Sequence, residues 1–154
     1  MGYDSEHDVL RLAAEGFNCS QIVLRLGLEL AGEDRPELVR IAHGLGHGIG
    51  HCGEICGALL GGVCLLSWHG GRGAAGELAH PMLDAMVADL TGWFRESACA
   101  GFCGIRCADI LEDAGGRPHP ERCAGLTAAA YEKAVEILQQ YEIDPTMPPE
   151  SAHA

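Results

Sequence analysis

Apolar residues in this chain recur three and four apart over most of its length, and no useful stretch alternates apolar with polar, so the open fold class is helical. Asp4 or Ser5 starts a first helix running to about Glu15. Asn18 caps a second, in which Ile22, Val23, Leu26 and Leu30 share a face. Pro36 suits the first turn of a third, short helix over Glu37 to Ala42. From Gly53 to about Trp68 the apolar residues surround the segment on nearly every side, as in a central buried helix. A long helix follows from about Gly76, with Pro81 as a kink or a late start; Met86 and Phe94 on one of its faces read as core, not as a cofactor box. A last amphipathic helix runs from Cys123 through Tyr141. The expectation is an all-α compact bundle of about five to seven helices with glycine-rich connections. It forms one domain over residues 1–144, and a Pro-rich tail over 145–154 is expected to be disordered.

Charge narrows the partners. Ten basic residues stand against 22 acidic ones, a net charge of −12, and Lys133 is the single lysine, so there is no basic stripe for a nucleic-acid backbone. An acidic surface suits solubility and is compatible with docking to a basic redox protein partner. Met1 to His7 is acidic and polar, with neither the basic start nor the apolar stretch of a signal peptide, and the expected location is the cytoplasm. The longest apolar run, Cys56 to Trp68, is too short to serve as a membrane span.

Eight cysteines are the chemistry-bearing feature: Cys19, Cys52, Cys56, Cys64, Cys99, Cys103, Cys107 and Cys123. In a reducing compartment, clustered thiols bind metal or do transient redox work more often than they form permanent disulfides. Two triads, Cys52/Cys56/Cys64 and Cys99/Cys103/Cys107, have spacings of four and eight that keep each near one side of a helix. Cys19 falls in the first turn of its helix, where unpaired N–H groups stabilise a thiolate and burial opposes them. Between residues 43 and 53, glycine occupies every second position from 44 to 50, which disfavours regular helix and implies a loop or a tightly packed helix end. His43, His47 and His51 would line one face if that passage were helical, a spacing at which histidine ligates metals. No lysine or serine follows as a phosphate-binding glycine loop requires, so no nucleotide is expected. No C-x-x-C-H occurs, so covalent c-type haem is not expected either.

The order of motifs resembles the small redox-active family named for its cysteine signature, C_GCAxxG_C_C. Phe17-Asn18-Cys19-Ser20-Gln21 is similar to its first box, and Gly53-Glu54-Ile55-Cys56-Gly57-Ala58 to its central one. Gly104-Ile105-Arg106-Cys107-Ala108-Asp109-Ile110-Leu111 and Cys123 resemble its closing cysteines, so the likeness spans roughly residues 15 to 138. The resemblance implies a shared set of Cys19, Cys56, Cys107 and Cys123, with Cys52, Cys64, Cys99 and Cys103 as additions. One departure stands in Gly48-Ile49-Gly50-His51-Cys52-Gly53, where Ile49 replaces the named cysteine and Gly50 the alanine; Cys52 follows three positions later. The family is also similar to the iron–sulfur part of the split-Soret cytochromes, which implies electron transfer and a paired arrangement.

Three chemistries fit these residues. An iron–sulfur cluster of unspecified type takes about four cysteines, here converging from separate helices, with Cys52, Cys56, Cys64, Cys99, Cys103, Cys107 and Cys123 as candidate ligands beside Cys19. A metal-free dithiol protein uses one attacking and one resolving thiol. A Cys/His zinc module is the third, although the compact paired spacing of common zinc sites is missing. No nucleophile–base pairing for substrate catalysis is legible. Gly57, Gly61 and Gly62 in an apolar segment, with Leu126, Tyr131, Val135 and Leu138 on the final helix, point to a homodimer.

Overall fold

A computed structural model describes residues 4–150. Seven right-handed α-helices lie among them, with no strand: α1 Ser5–Ala14, α2 Cys19–Leu30, α3 Pro36–Ile41, α4 Gly57–Gly70, α5 Leu83–Trp93, α6 Cys107–Ile110 and α7 Pro120–Gln140. The all-α expectation holds. Short 3-10 turns fill Ala42–Leu45 and Glu112–Ala114, and α5 runs on as a π-helical turn, Phe94–Ala98.

Local signals set most of the helix starts. The Asp4 side chain accepts from the His7 N–H at 3.2 Å, Asn18 caps α2, and proline occupies the first turn of both α3 and α7. α5 begins only after Pro81, the late start. α4 begins at Gly57, later than its apolar pattern implies, because residues 53–56 pair with a distant segment.

α4 is the centre of the bundle, packed against α2, α5 and α7, while α1 lies along α7. Leu65, Leu66, Met86, Leu90 and Phe94 are at most 1% exposed, so Met86 and Phe94 are core. Burying each such side chain contributes about 1.5–3 kcal/mol. The helices approach closely where α4 lacks side chains: a Cβ on Gly61 would stand 2.6 Å from the Ser20 carbonyl oxygen of α2. The Ser5 hydroxyl, donating to the Glu132 carboxylate, ties α1 to α7.

Gly57, Gly61 and Gly62 all abut other parts of the same chain, and Leu126, Tyr131 and Leu138 are buried in it. Val135, on the same helix, is half-buried. Asp144 accepts from the N–H and hydroxyl of Thr146 in the tail, of which residues 151–154 lie outside the described residues. No described helix is long and apolar enough to cross a membrane.

Candidate cysteine centre

The first cysteine is placed by a polar network. Asn18 and Gln21 cap α2 reciprocally, each side chain meeting the other's backbone N–H at 3.2 Å. The Asn18 amide also donates to the His43 carbonyl at 2.8 Å, and the buried Ser20 hydroxyl donates to the Ala42 carbonyl at 2.8 Å. Gln21 reaches the Val39 carbonyl, so every polar side chain of the first box holds α2 to residues 39–43. Cys19, first residue of α2, is thereby fixed against α4: a Cβ on Gly57 would lie 2.4 Å from the Cys19 sulfur.

Backbone pairing places the next two. Ile55 and Arg106 form an isolated antiparallel bridge. Around it the Cys56 N–H donates to the Ile105 carbonyl at 3.0 Å, the Cys107 N–H to the Glu54 carbonyl at 2.7 Å, and the Ala108 N–H to the Gly53 carbonyl at 3.2 Å. Cys56 is thus the N-cap of α4 and Cys107 the first residue of α6. Cys123 lies in the first turn of α7, its N–H donating to the His119 carbonyl. Arg122 anchors that turn: its guanidinium donates to both Asp113 oxygens at 2.7 and 3.0 Å, donates to the Ile110 carbonyl, and lies over the Phe102 ring.

Between the first two boxes the backbone reverses hand. His47, Gly48, Ile49, Gly50 and His51 have φ of 55°, 68°, 60°, 59° and 65°, with the Gly50 N–H bonded to the Gly46 carbonyl. Left-handed helix costs about 1–2 kcal/mol per non-glycine residue. His47, Ile49 and His51 together therefore store on the order of 3–6 kcal/mol, and Ile49, β-branched, is the sharpest outlier. The turn lies over the cysteines, since a Cβ on Gly48 would meet the Cys107 Cβ at 2.7 Å and the Glu54 backbone at 2.9 Å. A left-handed turn keeps the helical period, so the His47 and His51 rings stack, centroids 4.2 Å apart and 11° from parallel.

Three thiols, Cys19, Cys56 and Cys107, are shifted by burial and by neighbouring cysteines. Ionisation of Cys19 is opposed by burial and by Cys123; that of Cys56 by burial, Cys19 and Cys107; that of Cys107 by burial, Cys123 and Cys19. Burial is the first cause in all three and holds each thiol above its ordinary range. The helix-start effect anticipated at Cys19 is present, with the His47, Ser20 and Cys19 backbone N–H groups favouring the thiolate, but burial outweighs it. Ala58 and Leu59 N–H groups favour the Cys56 thiolate in the same way.

Of the remaining cysteines only Cys52 lies beside the four, in a cleft shared with Cys107, and neither triad lies on one continuous helix. Cys52 is exposed beyond the left-handed turn, and Cys64 packs beside the small core of Leu24, Leu28 and Val39. Cys99 is buried after the π-helical turn, its thiol pushed up to about 11 by burial and then Asp109. Cys103 is exposed and donates to Glu112 at 3.4 Å. Among the described residues no three His, Cys, Asp or Glu side chains are grouped tightly enough to hold one ion. A cleft of about 260 Å³ opens beside Cys107, between His47, His51, Cys52 and Leu111. A larger crevice of about 1140 Å³ lies at the far end of α4 by Trp68 and His69; no cysteine lines it.

The histidines give stability of the metal-free chain a pH dependence. His47 is held below its ordinary value of 6.5 by burial and by the charges of His51 and His43; His69 is lowered by burial, with Asp144 opposing. The unfolded chain binds these protons more readily, so this contribution is present above about pH 6.5 and lost as pH falls through the folded values. Urea midpoints measured from about pH 7.5 to 5 fall toward acid, and His47→Asn, tolerant of the left-handed backbone, flattens part of the fall. A midpoint that rises toward acid contradicts this assignment.

No match was found among curated proteins or among solved structures. Residues 17–137 match the family described as "Putative redox-active protein (C_GCAxxG_C_C)", a span that holds Cys19, Cys56, Cys107 and Cys123 and covers most of the chain. The chain belongs to the C_GCAxxG_C_C family of redox-active proteins.

Proposed function

We propose that this protein carries electrons on an iron–sulfur cluster held by Cys19, Cys56, Cys107 and Cys123. The observation that carries the reading is the delivery of these cysteines from the starts of four helices to one region of the bundle: the Cys19 sulfur lies against Gly57, next to Cys56, Cys107 lies under Gly48, and Cys123 is near enough to oppose ionisation of Cys19 and Cys107. Four cysteines are the usual complement of such a cluster. The compact paired spacing of common zinc sites is missing from the sequence, and eight cysteines exceed what one zinc ion needs.

The bound cluster supplies a one-electron couple. The chain's own part is to hold four thiolates, direct backbone N–H groups of His47, Ala58 and Leu59 at two of them, and keep water from Cys56, which is 9% exposed. Such hydrogen bonds and burial set a cluster's potential. The acidic surface, net charge −12, suits a basic redox protein as partner, and a cytoplasmic location would keep the thiols reduced. Anaerobic purification with iron, acid-labile sulfide and zinc analysis tests the proposal. Iron with sulfide is the expected result; stoichiometric zinc without sulfide, or a metal-free chain with a reversible two-electron thiol titration, overturns it.

A further inference from the structure

Cys52 belongs to none of the matched cysteine boxes, yet it is not isolated. It is exposed at the end of the left-handed turn and shares with the half-buried Cys107 the cleft of about 260 Å³ walled by the stacked His47 and His51 rings. Pairing of adjoining segments makes that proximity structural. The Ala108 N–H donates to the Gly53 carbonyl, and a Cβ on Gly53 would stand 3.2 Å from the Ala108 Cβ, so the residues following the two cysteines are pressed together. Cys52 and Cys107 therefore line one small cleft, the first exposed and the second half-buried.

We propose that this cleft is a thiol–disulfide exchange site for low-molecular-mass disulfides, in which Cys52 attacks and Cys107 resolves. The thiolate of Cys52 attacks one sulfur of the disulfide RSSR. A Cys52–SR bond forms, the RS–SR bond breaks, and RS⁻ leaves to take a proton from water. Cys107 as thiolate then attacks the Cys52 sulfur, the Cys52–Cys107 bond forms, and the second RS⁻ leaves and is protonated. Two protein thiols lose two electrons and two protons, and the disulfide becomes two molecules of RSH. Exposure sets the order, because the exposed Cys52 meets an incoming disulfide first, whereas the half-buried Cys107 meets only the mixed disulfide held beside it. The cleft's size sets the substrate class: it admits one arm of a small disulfide and not a folded polypeptide.

The inference rests on the redox reading of Cys107 but not on the identity of a metal. Cys107 cannot at once ligate a cluster and bond to Cys52, so the two states of the centre exclude each other.

The test uses the full-length chain as isolated anaerobically, before and after iron chelation, with hydroxyethyl disulfide as probe and intact-mass and peptide-mapping readouts. After chelation the chain is expected to lose two hydrogens and to show a Cys52–Cys107 linked peptide. Cys107→Ser is expected to stop at a hydroxyethyl mixed disulfide on Cys52, and Cys52→Ser, at an exposed position, to form no such link. A persistent mixed disulfide on Cys52 of the unsubstituted chain, or a bond that pairs other cysteines, overturns the proposal. Iron and sulfide are assayed on the same sample before chelation. A chain without iron that forms the link removes the cluster and keeps the exchange site; a chain with iron that forms none after chelation does the reverse.

Discussion

Serine at Cys56 lowers iron and sulfide per chain by more than about 10-fold, since even groups that only orient metal ligands change affinity by about 10–100-fold when lost. The substitution keeps approximate size but exchanges a soft thiolate for a hard, poorly ionised hydroxyl. Cys56 is the most enclosed of the four thiols, backed by the Ala58 and Leu59 N–H groups, and no neighbouring thiol replaces it without moving α4. Cys107→Ser has the same effect on metal content, and it also removes one of the two cysteine thiols lining the cleft. Circular dichroism and iron assay on the same samples check both variants. Full metal content in either one removes that residue from the centre.

Gly48→Ala has the largest expected effect on stability, about 2–5 kcal/mol, the sum of overpacking and a left-handed backbone carrying a side chain. Its Cβ would lie 2.7 Å from the Cys107 Cβ and 2.9 Å from the backbone N and O of Glu54, and backbone cannot step aside as a side-chain tip does. Gly50→Ala separates the two causes. Its φ is also left-handed, but nothing lies within 4 Å of a Cβ there, so only the conformational cost of about 1–2 kcal/mol applies. Urea unfolding of the two variants is therefore expected to rank Gly48→Ala well below Gly50→Ala. Equal losses would mean that the turn does not press on Cys107.

How much of this was legible in the sequence depends on whether the cause was local. Asn18, Pro36 and Pro81 act on their own helix starts, and the structure places those starts within a residue or two of where these residues point. The apolar sweep from Gly53 to about Trp68 announced the central helix for the same reason. By contrast, the start of α4 was misplaced by four residues, because pairing with residues 105–108 is a long-range event that no local pattern encodes. The cysteine triads misled in the same way. Spacings of four and eight share a face only on continuous helix, and Cys52, Cys56, Cys103 and Cys107 all lie at or beyond helix ends. The motif order, not the periodicity, pointed to Cys19, Cys56, Cys107 and Cys123.

The alternating glycines told that residues 44–50 would not be ordinary helix, but not that His47, Ile49 and His51 would follow them into the left-handed region. Three residues held there against their preference are kept by tertiary contacts, with Asn18 gripping the His43 carbonyl before the turn and the Glu54 N–H bonded to the Gly48 carbonyl after it. Spacing did anticipate the company of His47 and His51. The period of four survives the change of hand, which is why their rings meet.

The central claim is that four particular thiols, and not the cysteine-rich character of the chain, make the redox centre. The direct measurement is iron and acid-labile sulfide per chain in a variant with Cys52, Cys64, Cys99 and Cys103 all replaced by alanine, purified anaerobically beside the unsubstituted protein. The account predicts iron and sulfide in both, in the same amount per chain. A folded variant that has lost its iron while the unsubstituted protein keeps it would contradict the account, as would an unsubstituted protein that holds no iron at all.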